Sequence, residues 1–384
     1  MGPGGVLFRR AMRRSTYLDY NATAPVRPEA AAAIGAALAE VGNPSSVHGF
    51  GRAARARLET ARERVAALVG ARPSQVTFTG GGTEANNLAI GGTGRARILV
   101  SAIEHESVLK AAAGDLIPVE RSGVIDLAAL DRLLAAERGP ALVALMLANN
   151  ETGVIQPVAE AARIAHAHGA LFHCDAVQAA GKIAVDVASL GADLLSLSAH
   201  KLGGPPGVGA LIVADHVELG ARQRGGGQER GRRAGTENLP GIVGFGVAAE
   251  IAAAELGAMA RIAEMRDDLE RRATGAVPGA TVFGREVQRL PNTSCLSLSG
   301  LSSEVQVMAL DLAGVAVSAG SACSSGKVQP SHVLRAMGVD GPMAGSAIRV
   351  SLGWQSSDED VDSFLAAWCE LAARVRDTSK LTAA

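Results

Sequence analysis

The chain has 384 residues, of which 48% are apolar, and a formal net charge of −1. A length above about 250 residues favours a large domain with a smaller one over a single core. The balanced charge argues against a function based on bulk attraction to nucleic acid or to an anionic membrane surface.

The amino terminus is rich in arginine, at positions 9, 10, 13 and 14, and no long apolar stretch follows it. We predict neither a signal peptide nor a membrane anchor, because no run approaches the roughly eighteen apolar residues that a membrane span needs. Two interpretations of residues 1–11 stay open. We favour a frayed tail or a start codon placed upstream of Met12; the other is a short mitochondrial transit segment.

The cysteines are widely separated in the sequence, at Cys174, Cys295, Cys323 and Cys369. This spacing provides neither a zinc knuckle nor a CxxC redox pair. We therefore expect a reduced, cytoplasmic protein with no resident metal site.

Helical and β-rich patterns alternate from about residue 28 to 215, which predicts an α/β fold with a mostly parallel sheet between helices. Apolar residues recur with helical spacing over 52–69 and 158–168. The expected strands are 76–79, 97–100, 142–147, 170–174, 193–197 and 209–213. Ligands bind at the carboxyl ends of such strands, and the unusual residues of this chain follow these ends.

The last third of the chain has a different pattern. A stretch rich in Ala, Leu, Ile and Met predicts a long helix over 239–272, and the sequence after Gly279 is α+β. The expected strands here are 293–298, 315–318 and 348–352. We predict a large domain over 28–259 and a small α+β domain formed by 1–27 and 260–384, packed firmly because no low-complexity linker separates them.

Lys201 ends the run Ser198-Ala199-His200-Lys201, between an apolar strand and the glycine-rich turn 203–207. An ammonium group buried there is costly unless it is neutralised or joined in a Schiff base. A lone loop lysine is more often structural or solvated. The interpretation of Lys201 therefore depends on its neighbours.

An acidic residue ends a neighbouring strand, in Asp175-Ala176-Val177-Gln178. Pyridoxal 5′-phosphate needs an acid that keeps its ring nitrogen protonated, so that the ring can act as an electron sink, and Asp175 suits this role. Gln178 is close enough in sequence to donate to the phenolic oxygen of the ring. The alternative is a helix N-cap at Asp175 and a surface amide at Gln178.

A third strand end runs through Gly80-Gly81-Gly82-Thr83 into a predicted helix. Glycines allow close backbone approach, and a helix N-terminus attracts phosphate. The turn alone is a weak signal, and it matches neither the dinucleotide nor the P-loop spacing. His105 follows the strand 97–100 and can stack on a planar ring, although a core or surface histidine is the alternative.

Together these motifs resemble the cysteine desulfurase family of the class V aminotransferases, within the fold-type I enzymes that use pyridoxal phosphate. The resemblance extends nearly from end to end. Its motifs are LDYNATAPV at 18–26, NPSSVH at 43–48, GGGTEANN at 80–87, EH at 104–105, NNETG at 149–153, HCDAVQ at 173–178, SAHK at 198–201, RAGTEN at 233–238 and GSAC at 320–323.

The resemblance implies pyridoxal 5′-phosphate as the cofactor and L-cysteine as the substrate. It assigns the covalent cofactor bond to Lys201, stacking and proton transfer to His105, and the ring nitrogen to Asp175. Further implied contacts are Gln178 and Asn150 with the cofactor oxygen and the substrate, and Gly82, Thr83, Ser198 and His200 with the phosphate. Thr236 resembles a residue that reaches the phosphate of the neighbouring subunit, which implies a homodimer.

Cys323 lies in 318–326, a Gly- and Ser-rich segment that offers little packing for a buried thiol. A thiolate there could attack the sulfur of bound cysteine and carry the resulting persulfide to an acceptor. The length of the segment through Pro330 resembles that of members serving iron–sulfur assembly, which implies a scaffold protein as acceptor and transient ligation of a cluster by Cys323. A tRNA-thiolation relay and a nitrogenase-specific pathway stay open as alternative acceptors. We expect Cys174 to contribute only packing.

Arg349 lies on the expected strand 348–352 and resembles the arginine that clamps the substrate carboxylate, for which a planar two-pronged donor is suited. The alternative is a solvated arginine on an edge strand.

Two rival functions stay open. A selenocysteine lyase or a class V transaminase would use the same cofactor site, and would differ in whether activity needs Cys323. A catalytically silent scaffold for sulfur transfer would need degraded cofactor residues, whereas Lys201, Asp175 and His105 are all present.

Overall fold

The computed structural model describes residues 15–136, 139–320 and 330–382. The strands are β1 (Thr16–Tyr17), β2 (Val76–Thr79), β3 (Arg97–Ser101), β4 (Asp115–Ile117), β5 (Ala141–Met146), β6 (Leu171–Asp175), β7 (Leu194–Ser198), β8 (Gly209–Val213), β9 (Ala280–Val282), β10 (Thr293–Leu298), β11 (Val315–Ala316), β12 (Ser318–Ala319) and β13 (Ala347–Ser351).

The helices lie between these strands and after the last of them. They are α1 (Pro28–Leu38), α2 (Gly49–Leu68), α3 (Gly82–Gly92), α4 (Glu106–Ala112), α5 (Leu127–Ala136), α6 (Val158–Ala167), α7 (Val187–Leu190), α8 (Leu239–Ala254), α9 (Met259–Ala276), α10 (Ser303–Leu312), α11 (His332–Ala336), α12 (Gly341–Ala344) and α13 (Asp358–Thr382).

The large sheet has the strand order β2-β8-β7-β6-β5-β3-β4 within the described residues. Strand β8 runs antiparallel to both of its neighbours, and the other pairs are parallel. The register places Asp175 opposite Met146 on one side and Ser196 on the other. The carboxyl ends of β5, β6 and β7 therefore meet at one edge of the sheet.

Both faces of this sheet are covered by helices. One hydrophobic cluster includes Val65, Phe172 and Phe245, and a second includes Leu88 and Leu142. Burial on both faces explains why β5 is an apolar run without alternation, as is usual for parallel strands between helices. The predicted α/β class is confirmed, and each strand of the large sheet predicted above lies within one residue of its observed bounds.

The single helix predicted over 239–272 is wrong, because the chain breaks into α8 and α9. A short turn, Leu256–Ala258, separates them, and Gly257 within it lowers helix propensity. Just before the turn, Glu255 pairs with Arg27 at 2.6 Å. Among the described residues no single helix is long and apolar enough to cross a membrane; this pair passes only together, and it is bent by 59°.

The second sheet has the order β12-β13-β10-β9. The strand predicted at 315–318 is split, since β11 pairs in parallel with β1 while β12 pairs with β13. The buried cluster against this sheet joins residues from both ends of the chain, namely Leu18, Leu269, Leu296, Ile348 and Trp368. The division of the chain at 27/28 and 259/260 stays a prediction.

Candidate active site

A cavity of about 310 Å³ opens where β5, β6 and β7 end. It brings together most of the predicted site residues, although they are spread over more than two-thirds of the sequence. Those that line it are Gly82, Thr83, His105, Asn150, Asp175, Gln178, Ser198, His200, Lys201 and Arg349.

Lys201 follows β7 in a short turn, Ala199–Lys201, so its side chain is held by the end of a buried strand. Its Nζ donates to the carbonyl oxygens of Asn21, at 2.7 Å, and Ala22, at 2.8 Å. Burial, with the positive charge of Arg349, lowers the pKa of Lys201 to about 8. A substantial fraction of neutral amine is therefore present near neutral pH, as a nucleophilic lysine requires.

Asp175 is the last residue of β6. Its Oδ2 accepts from Asn86 Nδ2 at 2.7 Å, and its Oδ1 accepts from the Val177 backbone N–H at 2.9 Å. The second contact is a local turn, of the kind expected if Asp175 were only a helix N-cap. The first contact comes from α3, and it orients the carboxylate toward one place in the cavity.

Asn86 was missed by the sequence reasoning. It is 1% exposed within the buried part of α3, and its Nδ2 also donates to Ser107 Oγ at 2.9 Å. Its Oδ1 has no hydrogen-bond partner among the described residues. The signal available in the sequence was an amide side chain among the apolar residues of Ala85–Ile90.

Gln178 is held by a lysine that the sequence reasoning also missed. Its Nε2 donates to the Asn21 carbonyl at 3.0 Å, and its Oε1 accepts from Lys182 Nζ at 2.8 Å. Lys182 Nζ also donates to Asn21 Oδ1 at 2.9 Å. Burial lowers the pKa of Lys182 well below its usual value. These contacts fix the orientation of the Gln178 amide. Gln178 is 6% exposed, so the alternative of a surface amide is wrong.

His105 caps α4, and its Nδ1 accepts from the Ser107 backbone N–H at 3.1 Å. A backbone N–H only donates, so Nδ1 carries no proton and the neutral ring carries its proton on Nε2. Burial lowers the pKa of His105, and the charge of Lys201 adds to this effect. A neutral imidazole lining the cavity is suited to stacking and to proton transfer.

The N-terminus of α3 forms the other end of the site. A second opening of about 530 Å³ shares Gly82, Thr83, Ser198 and His200 with the first. A Cβ added at Gly82 would lie 2.9 Å from Val177 Cγ2, so glycine is required there by close approach. Burial, with Lys201 and Lys182, lowers the pKa of His200 to about 4, so it faces this region as a neutral ring.

These donors fit pyridoxal phosphate. The helix N-terminus, with Thr83 and Ser198, suits a phosphate group, and the Asp175 carboxylate suits a protonated ring nitrogen. Lys201 lines the same cavity as these two groups. The chemistry of the residues present thus matches the three functional parts of the cofactor.

Arg349 lies on β13, between β12 and β10, and is 3% exposed, which excludes the edge-strand alternative. Its Nη2 donates to Asp19 Oδ1 at 2.8 Å, and its Nη1 donates to the Asn150 carbonyl at 3.0 Å. Its buried Nε has no partner within the described residues. The guanidinium is thus fixed in place while lining the cavity.

One predicted residue of the described part of the chain, Thr236, does not line this cavity. Thr236 lines a neighbouring cavity of about 100 Å³ together with Arg233 and Glu237. Cys323 lies outside the described residues, which end at Gly320 and resume at Pro330.

Comparison with known proteins shows where this arrangement occurs. The family model described as "Aminotransferase class-V" matches residues 16–364. A cysteine desulfurase of Cereibacter sphaeroides is 46% identical, over 91% of this chain and 93% of that protein. The cysteine desulfurase IscS of Dictyoglomus turgidum is 41% identical, over 91% of this chain and 93% of its own length.

The fold is also similar to solved structures. The NifS-like protein of Rickettsia africae superposes with a TM-score of 0.88 at 34% identity, covering 95% of this chain and 100% of the other. The similarity therefore extends over the whole fold and includes both ends of the site.

Proposed function

The chain belongs to the class-V aminotransferase family and is a pyridoxal-phosphate-dependent cysteine desulfurase, and we propose that Cys323 takes the sulfur of L-cysteine and passes it to an acceptor protein. The observation that carries the proposal is the convergence of Lys201, Asp175, His105 and Arg349 on one cavity. Bound pyridoxal phosphate supplies an electron sink conjugated to the substrate α-carbon.

The chain's own residues hold the reactants in this proposal. Thr83, Ser198 and the N-terminus of α3 would bind the phosphate group, Asp175 would accept a hydrogen bond from the protonated ring nitrogen, and Lys201 would provide the covalent attachment. Arg349 binds the carboxylate of cysteine, because its planar fork is already held by Asp19 and Asn150.

Two groups are placed to move protons. The amino group of cysteine would replace Lys201 as the covalent attachment, and the freed amine of Lys201, whose pKa is lowered to about 8, would take the proton from the α-carbon. The neutral ring of His105 has its proton on Nε2 and can exchange it with a substrate group.

The sulfur step requires a thiolate at Cys323. The thiolate attacks the substrate sulfur, an S–S bond forms, and the C–S bond breaks with its electron pair left on carbon. Protonation of that carbon gives the methyl group of alanine. The terminal sulfur stays on Cys323 as a persulfide, and an acceptor or an added thiol removes it.

The proposal includes a homodimer in which Thr236 of each chain serves the other subunit's phosphate site. Its support is the separation of Thr236 from the cavity of Lys201, and an exposed apolar group at the end of α1 and the start of α2. That group comprises Leu38 (69% exposed), Val41 (76%), Val47 (88%) and Phe50 (65%). Light scattering that gives a monomer at micromolar concentration would contradict this part.

The acceptor is proposed to be an iron–sulfur scaffold, with transient cluster ligation by Cys323, in the cytoplasm. This part rests on the length of the segment before Pro330 and on the isolated cysteines of the sequence. Cell fractionation and co-purification with candidate scaffolds test it.

The proposal is tested by incubating the purified protein with cysteine labelled at sulfur. The expected result is alanine together with one labelled sulfur on the peptide that contains Cys323. Alanine without a sulfur adduct would favour a lyase of the selenocysteine type, and a keto acid in place of alanine would favour a transaminase.

A further inference from the structure

Glu151 is buried beside the active site and has no role in the chemistry described above. It is 1% exposed, and its Oε2 accepts from Ser331 Oγ at 2.5 Å. Burial raises the pKa of Glu151. Burying a carboxyl group costs free energy. The burial of Glu151, with its hydrogen bond from Ser331, therefore requires an explanation.

The same oxygen, Glu151 Oε2, also lies close to Gly320. A Cβ added at Gly320 would lie 2.7 Å from Glu151 Oε2 and 3.6 Å from Ser331 Cβ. Gly320 and Ser331 flank the segment 321–329, which contains Cys323 and lies outside the described residues. Glu151 therefore contacts Gly320, the last residue before that segment, and accepts a hydrogen bond from Ser331, the second residue after it.

The residues on both sides of the segment 321–329 also make hydrogen bonds beside the proposed substrate-binding residues. Ser318 Oγ donates to Asp19 Oδ2 at 2.7 Å, and the other oxygen of Asp19 holds Arg349. After the segment, His332 Nε2 lies 2.9 Å from the carbonyl oxygen of Glu104, next to His105. Glu151 itself follows Asn150, whose carbonyl accepts from Arg349.

We propose that Glu151 is a positioning residue that fixes Gly320 and Ser331 relative to Arg349, and so acts on sulfur transfer rather than on the binding of cysteine. The inference rests on the proposed role of Cys323, because its effect operates through the attachment points of that residue's segment. The hydrogen bond from Ser331 Oγ is the contact through which Glu151 acts, and burial shifts the pKa of Glu151 in the direction of the neutral carboxyl group.

The experiment compares Glu151→Ala and Glu151→Gln in the full-length protein loaded with cofactor. The absorbance change on adding cysteine measures binding, and the rate of alanine release measures sulfur transfer. We expect Glu151→Ala to lower alanine release about tenfold, the factor that corresponds to one hydrogen bond, with half-saturation by cysteine unchanged within about twofold. We expect Glu151→Gln to restore the rate, because an amide oxygen accepts the same bond.

A matched control removes a different buried carboxylate. Glu270 on α9 is 7% exposed and pairs with Arg289 at 2.7 and 2.8 Å. Glu270→Gln should lower the unfolding midpoint and leave alanine release unchanged. If Glu151→Ala does not fold, Ser331→Ala removes the same bond from the other side; where both fold, the double variant should lose no more activity than Glu151→Ala alone.

The inference is overturned if Glu151→Ala releases alanine at the parent rate, or if binding and release fall together with the unfolding midpoint as for a merely structural residue. Cys323→Ala in the same assay separates this result from the proposed function. A fully active Cys323→Ala contradicts the proposed function whatever Glu151 does, whereas an inactive Cys323→Ala beside a fully active Glu151→Ala contradicts the present inference alone.

Discussion

Asn86 Nδ2 lies 2.7 Å from Asp175 Oδ2, so an amide on α3 holds the carboxylate at the end of β6. The same nitrogen donates to Ser107 Oγ, which in turn lies 2.8 Å from His105 Nδ1. With that amide as its donor, Ser107 Oγ can give its own hydrogen to Nδ1. One buried amide thus orients the acid and supports the His105 tautomer that keeps its proton on Nε2.

Asn86→Ala should therefore lower activity by about tenfold, since it removes two hydrogen bonds that orient catalytic groups while leaving those groups in place. The pH profile of activity should also move, because His105 loses part of the contact that selects its tautomer. Gln306→Ala, which removes a buried amide on α10 that does not line the cavity, is the control. An unchanged rate and pH profile in Asn86→Ala would show that the backbone of Ser107 alone positions His105.

Asp175→Ala should cost at least about a hundredfold in activity, whereas Gln178→Ala should cost about tenfold. The first substitution removes the charge that keeps the cofactor ring protonated, and the second removes a single amide contact. The measurement is alanine release from variants with equal cofactor content. Small and equal losses would show that Asp175 is only the local cap of the turn to Val177.

Borohydride reduction should attach the cofactor permanently to the peptide that contains Lys201, and to no other lysine. The rate at which the cofactor-free protein takes up pyridoxal phosphate should rise with pH and level off above about 8, because burial and Arg349 lower the pKa of Lys201 to that value.

Arg349→Met should move this pH midpoint upward, since the substitution removes the positive charge that disfavours the lysine ammonium. Arg349→Lys keeps a positive charge and is the control. A label on another lysine, or a midpoint that moves down in Arg349→Met, would contradict the assignment.

The Arg62–Glu229 pair should be a main contributor to the stability of the large sheet's edge. Two bonds of 2.8 Å join the side chains, which are 3% and 1% exposed, and Glu229 also accepts from the Phe78 backbone N–H. Glu229→Ala leaves the buried guanidinium of Arg62 with only Glu59 and the Val76 carbonyl as partners, which costs about 3 kcal/mol. Chemical denaturation should show a lower midpoint. Glu370→Ala breaks an exposed pair on α13 and should cost less than about 1 kcal/mol.

The sequence was most informative where chemistry follows a strand. Lys201, Asp175 and Gly82 could be predicted because each lies at the carboxyl end of a strand or within three residues of it, and parallel strands bring these ends together. Asn86 and Lys182 could not, since their roles depend on partners 89 and 161 positions away in sequence. Periodicity carries no information about such contacts.

The helix break at Leu256–Ala258 and the strand shift at Val317 were missed for a related reason. Both depend on which neighbouring segment the chain meets: Glu255 meets Arg27, and β11 pairs with β1 before β12 pairs with β13. The apolar pattern favours a continuous element in each case; Gly257 weakens the helix at one point, and the tertiary contacts decide where each element ends.

The most direct test of the central claim is rapid mixing of Cys323→Ala with L-cysteine, followed by absorbance and by mass spectrometry. The early absorbance change should persist, because it needs only Lys201, His105 and the carboxylate site at Arg349, while alanine, sulfide and the sulfur adduct should disappear. Substitution of Cys174 or Cys295, both buried, should reduce stability and leave sulfur transfer intact. Release of alanine and sulfide by Cys323→Ala at the parent rate would contradict transfer through a persulfide on this residue and would favour direct elimination.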